Sequence, residues 1–249
     1  MSLIAGATEF LPPPQKGRRF TSSRPVRLGD VDPSAGLRLD ATARYLQDVA
    51  SDDAADCGLD ESLGWVVRRS LIDVQKAAVL DEVVELTTYC TGMGRSWAER
   101  TTTIRGSSGA VIDSVNLWVQ ISVDTGRPTP LSEQFHQFFG EACGDRKVSA
   151  RLGLEGPSTD VQNRSWAIRR TDLDPFNHVN NAANWSFLEE VVEGPASSRT
   201  GRAEMEFLAP IEFGAQIELQ IHRDTTSAYS AWLVADSSVH SAARWLPSP

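Results

Sequence analysis

The chain has 249 residues, of which 41% are hydrophobic and 23% are charged, and its formal net charge at pH 7 is −9. This length suits one large domain or two domains of about 100–150 residues each. The acidic balance disfavours a general role in binding nucleic acids.

The cysteines and histidines give no indication of a metal site or a disulfide framework. Cys57, Cys90 and Cys143 are widely spaced, and the four histidines lack the spacing of metal ligands. No apolar run approaches the roughly 20 residues that a membrane-spanning helix needs. We therefore expect a cytoplasmic protein with no cofactor and no metal, and with neither nucleic acid nor membrane as a partner.

In chain order, residues 1–20 are predicted to be an N-terminal extension. A polar turn, Asp30-x-Asp32-Pro33, follows, and after it comes a helix from about Asp40 to Ala55. Strands are then predicted at Trp65–Val74, Val83–Cys90, Ser96–Ile104 and Val111–Ser122. Leu131–Ala142 has the pattern of an amphipathic helix.

The turn and its helix recur 142 residues later. Asp172-x-Asp174-Pro175 matches the first turn, and a helix is predicted from about Asn180 to Val192, before Gly194-Pro195. Self-similarity at a long period indicates a duplicated structural unit. Period-two alternation predicts strands at Ile217–His222, Tyr229–Val234 and Val239–Leu246.

A strand, a long helix and about four antiparallel strands, made twice, give an α+β plan in which each helix buries its apolar face against a curved sheet. We expect a double hot-dog fold, that is, two tandem hot-dog domains whose sheets join. The boundary is placed near residue 150. Residues 21–150 form the predicted N-terminal domain, with a degenerate site, and residues 151–249 form the C-terminal domain, with the chemistry.

The second copy of the turn carries polar residues that the first copy lacks. His178 stands where the first copy has Gly36, and an amide pair follows it. The first N–H groups of a helix have no internal partners and can stabilise an oxyanion. A carboxylate in front of them can activate water or attack a carbonyl, and an imidazole can bind the carbonyl or carry a proton. The predicted catalytic residues are Asp174, His178 and Asn177, and the predicted oxyanion site is the helix start at Val179, Asn180 and Asn181.

Turn formation and helix capping are the structural alternative, since Asp-Pro and Asn are common in both settings. The asymmetry between the copies favours chemistry, because turn residues should survive duplication in both. We expect the carboxylate and the imidazole to face an apolar channel between helix and sheet.

The series Asp172-Leu-Asp174, His178-Val-Asn180-Asn181 and Phe187-x-x-Glu190 resembles the signature of the acyl-acyl-carrier-protein thioesterases. The resemblance covers the chain from about residue 20. It implies tandem hot-dog domains that hydrolyse fatty acyl groups from acyl carrier protein (ACP). It also implies catalysis in the C-terminal domain, an acyl-chain site shaped by the N-terminal domain, and Asp174 and His178 as the catalytic Asp and His.

Two family positions differ in this chain. The family Asn two places after the catalytic Asp falls on Phe176, and the family Glu on the next strand falls near Pro210. Glu206 or Glu212 replaces that Glu if the alignment shifts. Glu190, on the helix, and Glu212 are therefore the candidates for a second acid.

The expected function is hydrolysis of the thioester of fatty acyl-ACP, which releases free fatty acid in fatty acid biosynthesis and lipid metabolism. The alternatives are an acyl-coenzyme A (CoA) thioesterase, a hot-dog hydratase or dehydratase, and an acyl-thioester-binding protein without turnover. The partner is an ACP or CoA thioester, and the protein is expected to be a monomer or a homodimer. Basic residues on which an acidic carrier would dock occur at Lys16–Arg19, Arg68-Arg69, Arg164 and Arg169-Arg170.

Overall fold

The computed structural model describes residues 10–59 and 63–248. Residues 1–9 of the predicted N-terminal extension lie outside the described residues. The first half contains the elements β1 (Phe20–Pro25), α1 (Leu39–Asp56), β2 (Leu63–Lys76), β3 (Val83–Met93), β4 (Trp97–Gly106), β5 (Val111–Ser122) and α2 (Glu133–Cys143). The second half contains β6 (Gln162–Trp166), α3 (Asn181–Glu189), β7 (Gly201–Phe207), β8 (Ile217–Arg223), β9 (Tyr229–Ala235) and β10 (Ser238–Pro247).

The strands form one ten-stranded antiparallel sheet in the order β1-β3-β4-β5-β2-β7-β10-β9-β8-β6. Read outward from the centre of the sheet, the strand order β7-β10-β9-β8-β6 of the second half matches the order β2-β5-β4-β3-β1 of the first. The halves join where β2 pairs with β7, from Arg69 opposite Glu206 to Val74 opposite Gly201. This architecture confirms the predicted double hot-dog fold and the internal duplication.

Helices α1 and α3 pack side by side against one face of the sheet and share its main hydrophobic core. Tyr45 and Leu46 of α1, with Trp185 and Phe187 of α3, are at most 3% exposed. Burying side chains of this size removes roughly 1.5–3 kcal/mol each of unfavourable hydration. The apolar faces of two helices on a common sheet therefore hold the two halves together.

The helices differ in length, with 18 residues in α1 and nine in α3. The predicted helix to Val192 is thus too long, because the chain leaves α3 at Glu189 and turns at Gly194, whose φ of 92° favours glycine. The far end of α1 is anchored by the fully buried Asp53, which accepts hydrogen bonds from Arg18 and Arg100. None of the described helices is long and apolar enough to span a membrane.

Candidate active site

Asp174 lies in the turn that leads into α3, and it organises that turn. Its Oδ1 accepts hydrogen bonds from the backbone N–H of Phe176, at 2.9 Å, and of His178, at 3.2 Å. Its own N–H donates to the His178 carbonyl at 2.8 Å. In the part of the chain that the structure describes, no donor contacts the second carboxylate oxygen, Oδ2. One oxygen therefore holds the turn while the other is free for a substrate or a water.

His178 and Asn177 follow in the same turn, as predicted from sequence. His178 is half-buried, and Asn177 is exposed. Asn177 has φ of 62°, in the left-handed region that Asn tolerates better than most residues. Neither side chain makes a hydrogen bond to any described residue. The backbone conformation alone accounts for an Asn at 177, whereas nothing in the turn requires a histidine at 178.

The N-terminus of α3 follows directly. Asn180 is its N-cap, and its side-chain oxygen accepts from the Ala182 N–H at 2.8 Å. The N–H of Val179 donates to Ile211 and that of Asn180 donates to Asp172, both at 2.8 Å. These bonds contradict the prediction of oxyanion donors at Val179 and Asn180. The Asn181 N–H, by contrast, has no acceptor among residues 10–59 and 63–248.

Of the two candidates for a second acid, only Glu212 lies near the turn. It forms an antiparallel bridge with His178, a pairing that places the two side chains on the same face. Glu190 is the exposed C-cap residue of α3, and a nine-residue helix puts it about 13 Å from the helix start. The structure therefore places Glu190 at the end of α3 away from the turn, whereas Glu212 lies beside it.

The other position considered for the family Glu, Glu206, has a structural role. It is 1% exposed and accepts from the N–H groups of Gly153, at 2.6 Å, and Leu154, at 3.1 Å. Those residues belong to the connection between the halves. The Pro210 carbonyl, near which the family Glu falls, accepts a hydrogen bond from His240 Nδ1 at 2.8 Å.

The equivalent turn in the first half has the same backbone pattern. Asp32 Oδ1 accepts from the N–H of Ser34, at 2.9 Å, and of Gly36, at 3.1 Å. Its Oδ2, however, accepts from the Ala196 N–H at 2.8 Å. Burial raises the pKa of Asp32, but the hydrogen bonds from Ala196, Ser34 and Gly36 outweigh it and hold the pKa below its ordinary value. Both oxygens of this carboxylate are thus occupied by the protein.

Gly36 in this first turn has a packing reason of its own. A methyl group added there would lie 1.9 Å from the Ser197 nitrogen, so no side chain fits. The segment Pro195–Ser198, which we call the covering segment, includes a single turn of 3-10 helix and lies against Asp32 and Gly36. The sequence pattern did not predict this segment, and its one signal was the glycine at 36, where the second copy has His178.

The start of α1 is closed in the same way. The Leu39 N–H donates to Glu189 Oε2 at 2.9 Å, and Arg199 donates to Glu189 Oε1 at 2.6 Å. Leu39 is the residue of α1 that corresponds to Asn181 of α3. A carboxylate from the second half thus caps the start of α1. The equivalent position at the start of α3, Asn181, has no such cap among the described residues.

Exposed apolar side chains occur in the open turn itself and in the segment 208–213, whose Ile211 and Glu212 pair with that turn. Phe176 is 62% exposed, Phe213 is 42% exposed and Leu208 is 40% exposed. The Arg170 guanidinium lies 4.6 Å from the centre of the Phe213 ring, and Arg68 donates to the Leu208 carbonyl at 3.1 Å. Exposed apolar groups beside cations are typical of a surface that meets another molecule.

Two cavities stand out in the structure, and neither is lined by Asp174 or His178. One, of about 290 Å³, lies past the end of α3 beside Val191 and Tyr229. The other, of about 310 Å³, lies under Leu11–Gln15 beside Cys90. The apolar channel predicted at the turn is not one of these two. Among the described residues, no cluster of His, Cys, Asp or Glu is arranged to hold a metal ion.

The arrangement at the second turn can perform acyl transfer to water. It offers a carboxylate oxygen free to activate a nucleophile, an imidazole four residues on, and an open N–H at the start of a helix. The partial positive charge of the helix start favours a developing oxyanion. The closed first turn offers none of these groups.

Comparison with known families covers most of the chain. Residues 17–139 match the profile of the acyl-ACP thioesterase N-terminal domain, and residues 156–243 match that of the acyl-ACP thioesterase C-terminal domain. An uncharacterized protein of Mycobacterium tuberculosis is 29% identical over 225 residues, which are 90% of each protein.

Two plant proteins extend the comparison. The chain is 24% identical over 209 residues to the chloroplastic oleoyl-acyl carrier protein thioesterase 1 of Arabidopsis thaliana, covering 72% of this chain and 58% of the plant protein. The solved structure of the 12:0-ACP thioesterase from Umbellularia californica superposes with a TM-score of 0.75 at 20% identity, covering 92% of this chain and 98% of that one. This structural likeness shows a shared fold.

Proposed function

The chain belongs to the acyl-ACP thioesterase family, and from this membership we propose that it hydrolyses the thioester of fatty acyl-ACP and releases free fatty acid. The observation that carries the proposal is the open second turn. Of the two equivalent turns, the second alone has an Asp with a carboxylate oxygen that no described residue contacts, next to a histidine and a helix start whose first N–H has no acceptor among those residues.

In the proposed reaction, Asp174 Oδ2 takes a proton from a water as the water oxygen adds to the thioester carbonyl carbon. The carbonyl oxygen becomes an oxyanion, which the Asn181 N–H stabilises at the positive end of α3. The oxyanion then reforms the carbonyl, the carbon–sulfur bond breaks, and the thiolate leaves with the proton. His178 binds the carbonyl side or carries that proton to the sulfur. Water and acyl thioester thus give a fatty acid and a free thiol.

The carrier is proposed to be ACP because the matched family acts on acyl-ACP. With a net charge of −9, the protein cannot attract an acidic carrier over its whole surface. The exposed apolar side chains Phe176, Leu208 and Phe213, with Arg68 bonded at Leu208 and Arg170 over Phe213, lie in the turn and in the segment that follows β7, and they offer a local surface for a carrier. Such a surface supports a protein-bound substrate over a small free one.

The test compares wild type with Asp174→Asn on a series of medium- and long-chain acyl-ACP substrates. An amide oxygen still accepts the two N–H bonds that hold the turn, so the fold is kept while the base is lost. We expect kcat to fall by about 100-fold or more, because a positioned base contributes 10²–10⁴-fold. The readouts are thiol release, with a thiol-reactive dye, and free fatty acid, by mass spectrometry.

Glu190→Gln is the matched control, since it makes the same carboxylate-to-amide change at the exposed far end of α3. Its kcat should equal that of wild type. No thiol release by wild type from either acyl-ACP or acyl-CoA contradicts the proposal. Acyl-thioester binding without release then indicates a binding protein, and a change in enoyl absorbance without thiol release indicates a hydratase.

A further inference from the structure

The internal duplication points to a residue of the first half that corresponds to Glu189 of the second. The two halves correspond with a constant offset of 142 residues from β1 to the helix starts, so Phe20 matches Gln162 and Leu39 matches Asn181. The helices α1 and α3 pack against each other across this internal symmetry. Residues of one helix that lie near the start of the other can therefore be matched between the halves by this offset, whether or not both make the same contact.

One such contact is the closure of α1. Glu189 on α3 accepts from the N–H of Leu39, the first residue of α1. Under the 142-residue offset, Leu39 corresponds to Asn181, and Glu189 corresponds to Gln47, which lies on α1. By the internal symmetry, the position of Gln47 relative to the start of α3 corresponds to that of Glu189 relative to the start of α1.

The two ends differ in chemistry. Glu189 is an anion, held by Arg199 at 2.6 Å, and it neutralises the positive end of α1. Gln47 is neutral and half-buried, and its side chain makes no hydrogen bond to any described residue. The Asn181 N–H has no acceptor in the same part of the chain. The Asn181 N–H at the start of α3 and the Gln47 amide thus have no hydrogen-bond partners among the described residues, whereas Leu39 at the start of α1 is bonded to Glu189.

We propose that Gln47 is a catalytic residue whose side-chain N–H₂ donates to the thioester carbonyl oxygen together with the Asn181 N–H. An amide can donate to an oxyanion, whereas a carboxylate in its place would repel it. The oxyanion site then contains one donor from each half, and the first half takes part in the chemistry through its helix. This inference rests on the proposed hydrolysis at Asp174.

The experiment uses the full chain and two substitutions of similar size, Gln47→Leu and Gln47→Glu. Gln47→Leu removes the donor and keeps the volume, and we expect kcat to fall about 100-fold, as when other oxyanion donors are lost. KM should stay within about threefold, since the donor acts on the developing charge. Gln47→Glu should be at least as slow at neutral pH and should regain activity as acid protonates the new carboxyl.

Glu189→Gln, which changes the residue that caps the start of α1, is the matched control. It can lower stability by loosening the start of α1, but its kcat should be that of wild type. Gln47→Asn, which keeps a shorter donor, should recover part of the activity that Gln47→Leu loses. A merely structural role for Gln47 predicts none of this recovery and no dependence on pH.

A binding measurement separates this inference from the hydrolysis itself. An acyl-pantetheine amide has a carbonyl, and the matching thioether lacks one. Wild type should bind the amide more tightly, and Gln47→Leu should lose that preference about tenfold while binding the thioether unchanged. Equal kcat and equal amide preference in Gln47→Leu and Glu189→Gln overturn the assignment of Gln47. If wild type releases no thiol but Gln47→Leu still loses the preference, the hydrolysis fails and the carbonyl contact stands.

Discussion

The two turns that precede α1 and α3 have the same backbone and opposite surroundings. In both, an Asp accepts two backbone N–H bonds through Oδ1. In the first turn its Oδ2 is bonded to the covering segment, whereas in the second it is free among the described residues. The carboxylate is therefore needed by the turn itself. What distinguishes the candidate site is the oxygen left over and the open helix start beside it.

The difference follows from the lengths of the helices. The chain leaves α3 at Glu189, and residues 190–198 then fold back to place the covering segment against Asp32. The corresponding stretch of the first half, residues 48–56, is still helix α1, anchored by Asp53. Because helical residues have their N–H groups bonded internally, this stretch cannot cover Asp174 in the same way. One short helix closes the first turn, and one long helix leaves the second open.

The strongest way to break this comparison is to force the covering segment away. Gly36→Ala puts a methyl group 1.9 Å from the Ser197 nitrogen, and the clash is with backbone that must move as a unit. We expect the free energy of unfolding to fall by about 1–3 kcal/mol, as for other overpacked sites. Urea unfolding followed by circular dichroism measures this loss.

Gly29→Ala is the control for that substitution, because a methyl group added at Gly29 meets no atom within 4 Å. Its stability should not fall. Thiol release per folded molecule should be unchanged in both variants, since neither alters the second turn. Equal stability of the two variants would show that the covering segment does not pack on the first turn.

The sequence was sufficient for the duplication and for most elements. Alternation identified β8, β9 and β10 because each of these strands buries one face more than the other. It gave no range for β7, which is buried on both faces because the connection between the halves bonds to Glu206. It also gave none for β6, an edge strand whose residues are almost all exposed. An alternating sequence pattern requires a strand with one solvent-exposed face and one buried face, and neither β6 nor β7 has this arrangement.

The candidate site was predicted in part for a similar reason. Spacing along the chain placed Asp174, His178 and the helix start together, since all lie within a single turn. It could not tell a free N–H from one that donates to Ile211 or Asp172, because those acceptors depend on the tertiary fold. Nor could it exclude Glu190, whose distance is set by where α3 ends.

A smaller effect, in the acidic range, sharpens the contrast between the two carboxylates. The folded protein holds the pKa of Asp32 below its ordinary value. A lowered folded pKa contributes stability above the unfolded value of about 3.9, and this is lost as the pH falls through the folded pKa. The free energy of unfolding should therefore decrease below about pH 4, and Asp32→Asn should remove that part of the decrease.

Urea unfolding of wild type and Asp32→Asn across the acidic range gives the difference curve. The variants should differ in stability at neutral pH and converge as the pH is lowered. A constant difference at all pH values would mean that the charge of Asp32 contributes nothing and that only its hydrogen bonds matter.

The smallest expected effect tests whether the second turn needs its own Asn. Asn177 has φ of 62°, and the matching Ala35 has φ of 63° in the closed turn. Asn177→Ala thus copies a residue already accepted in this conformation, and we expect it to cost about 1 kcal/mol or less. Because the Asn177 side chain is exposed and bonds to no described residue, kcat should change by no more than about threefold. Thermal unfolding and thiol release on the same preparation decide the matter. A kcat loss near that of Asp174→Asn, at unchanged stability, would instead return Asn177 to the catalytic set, because a residue that only shapes the turn cannot lower the rate without loosening the fold.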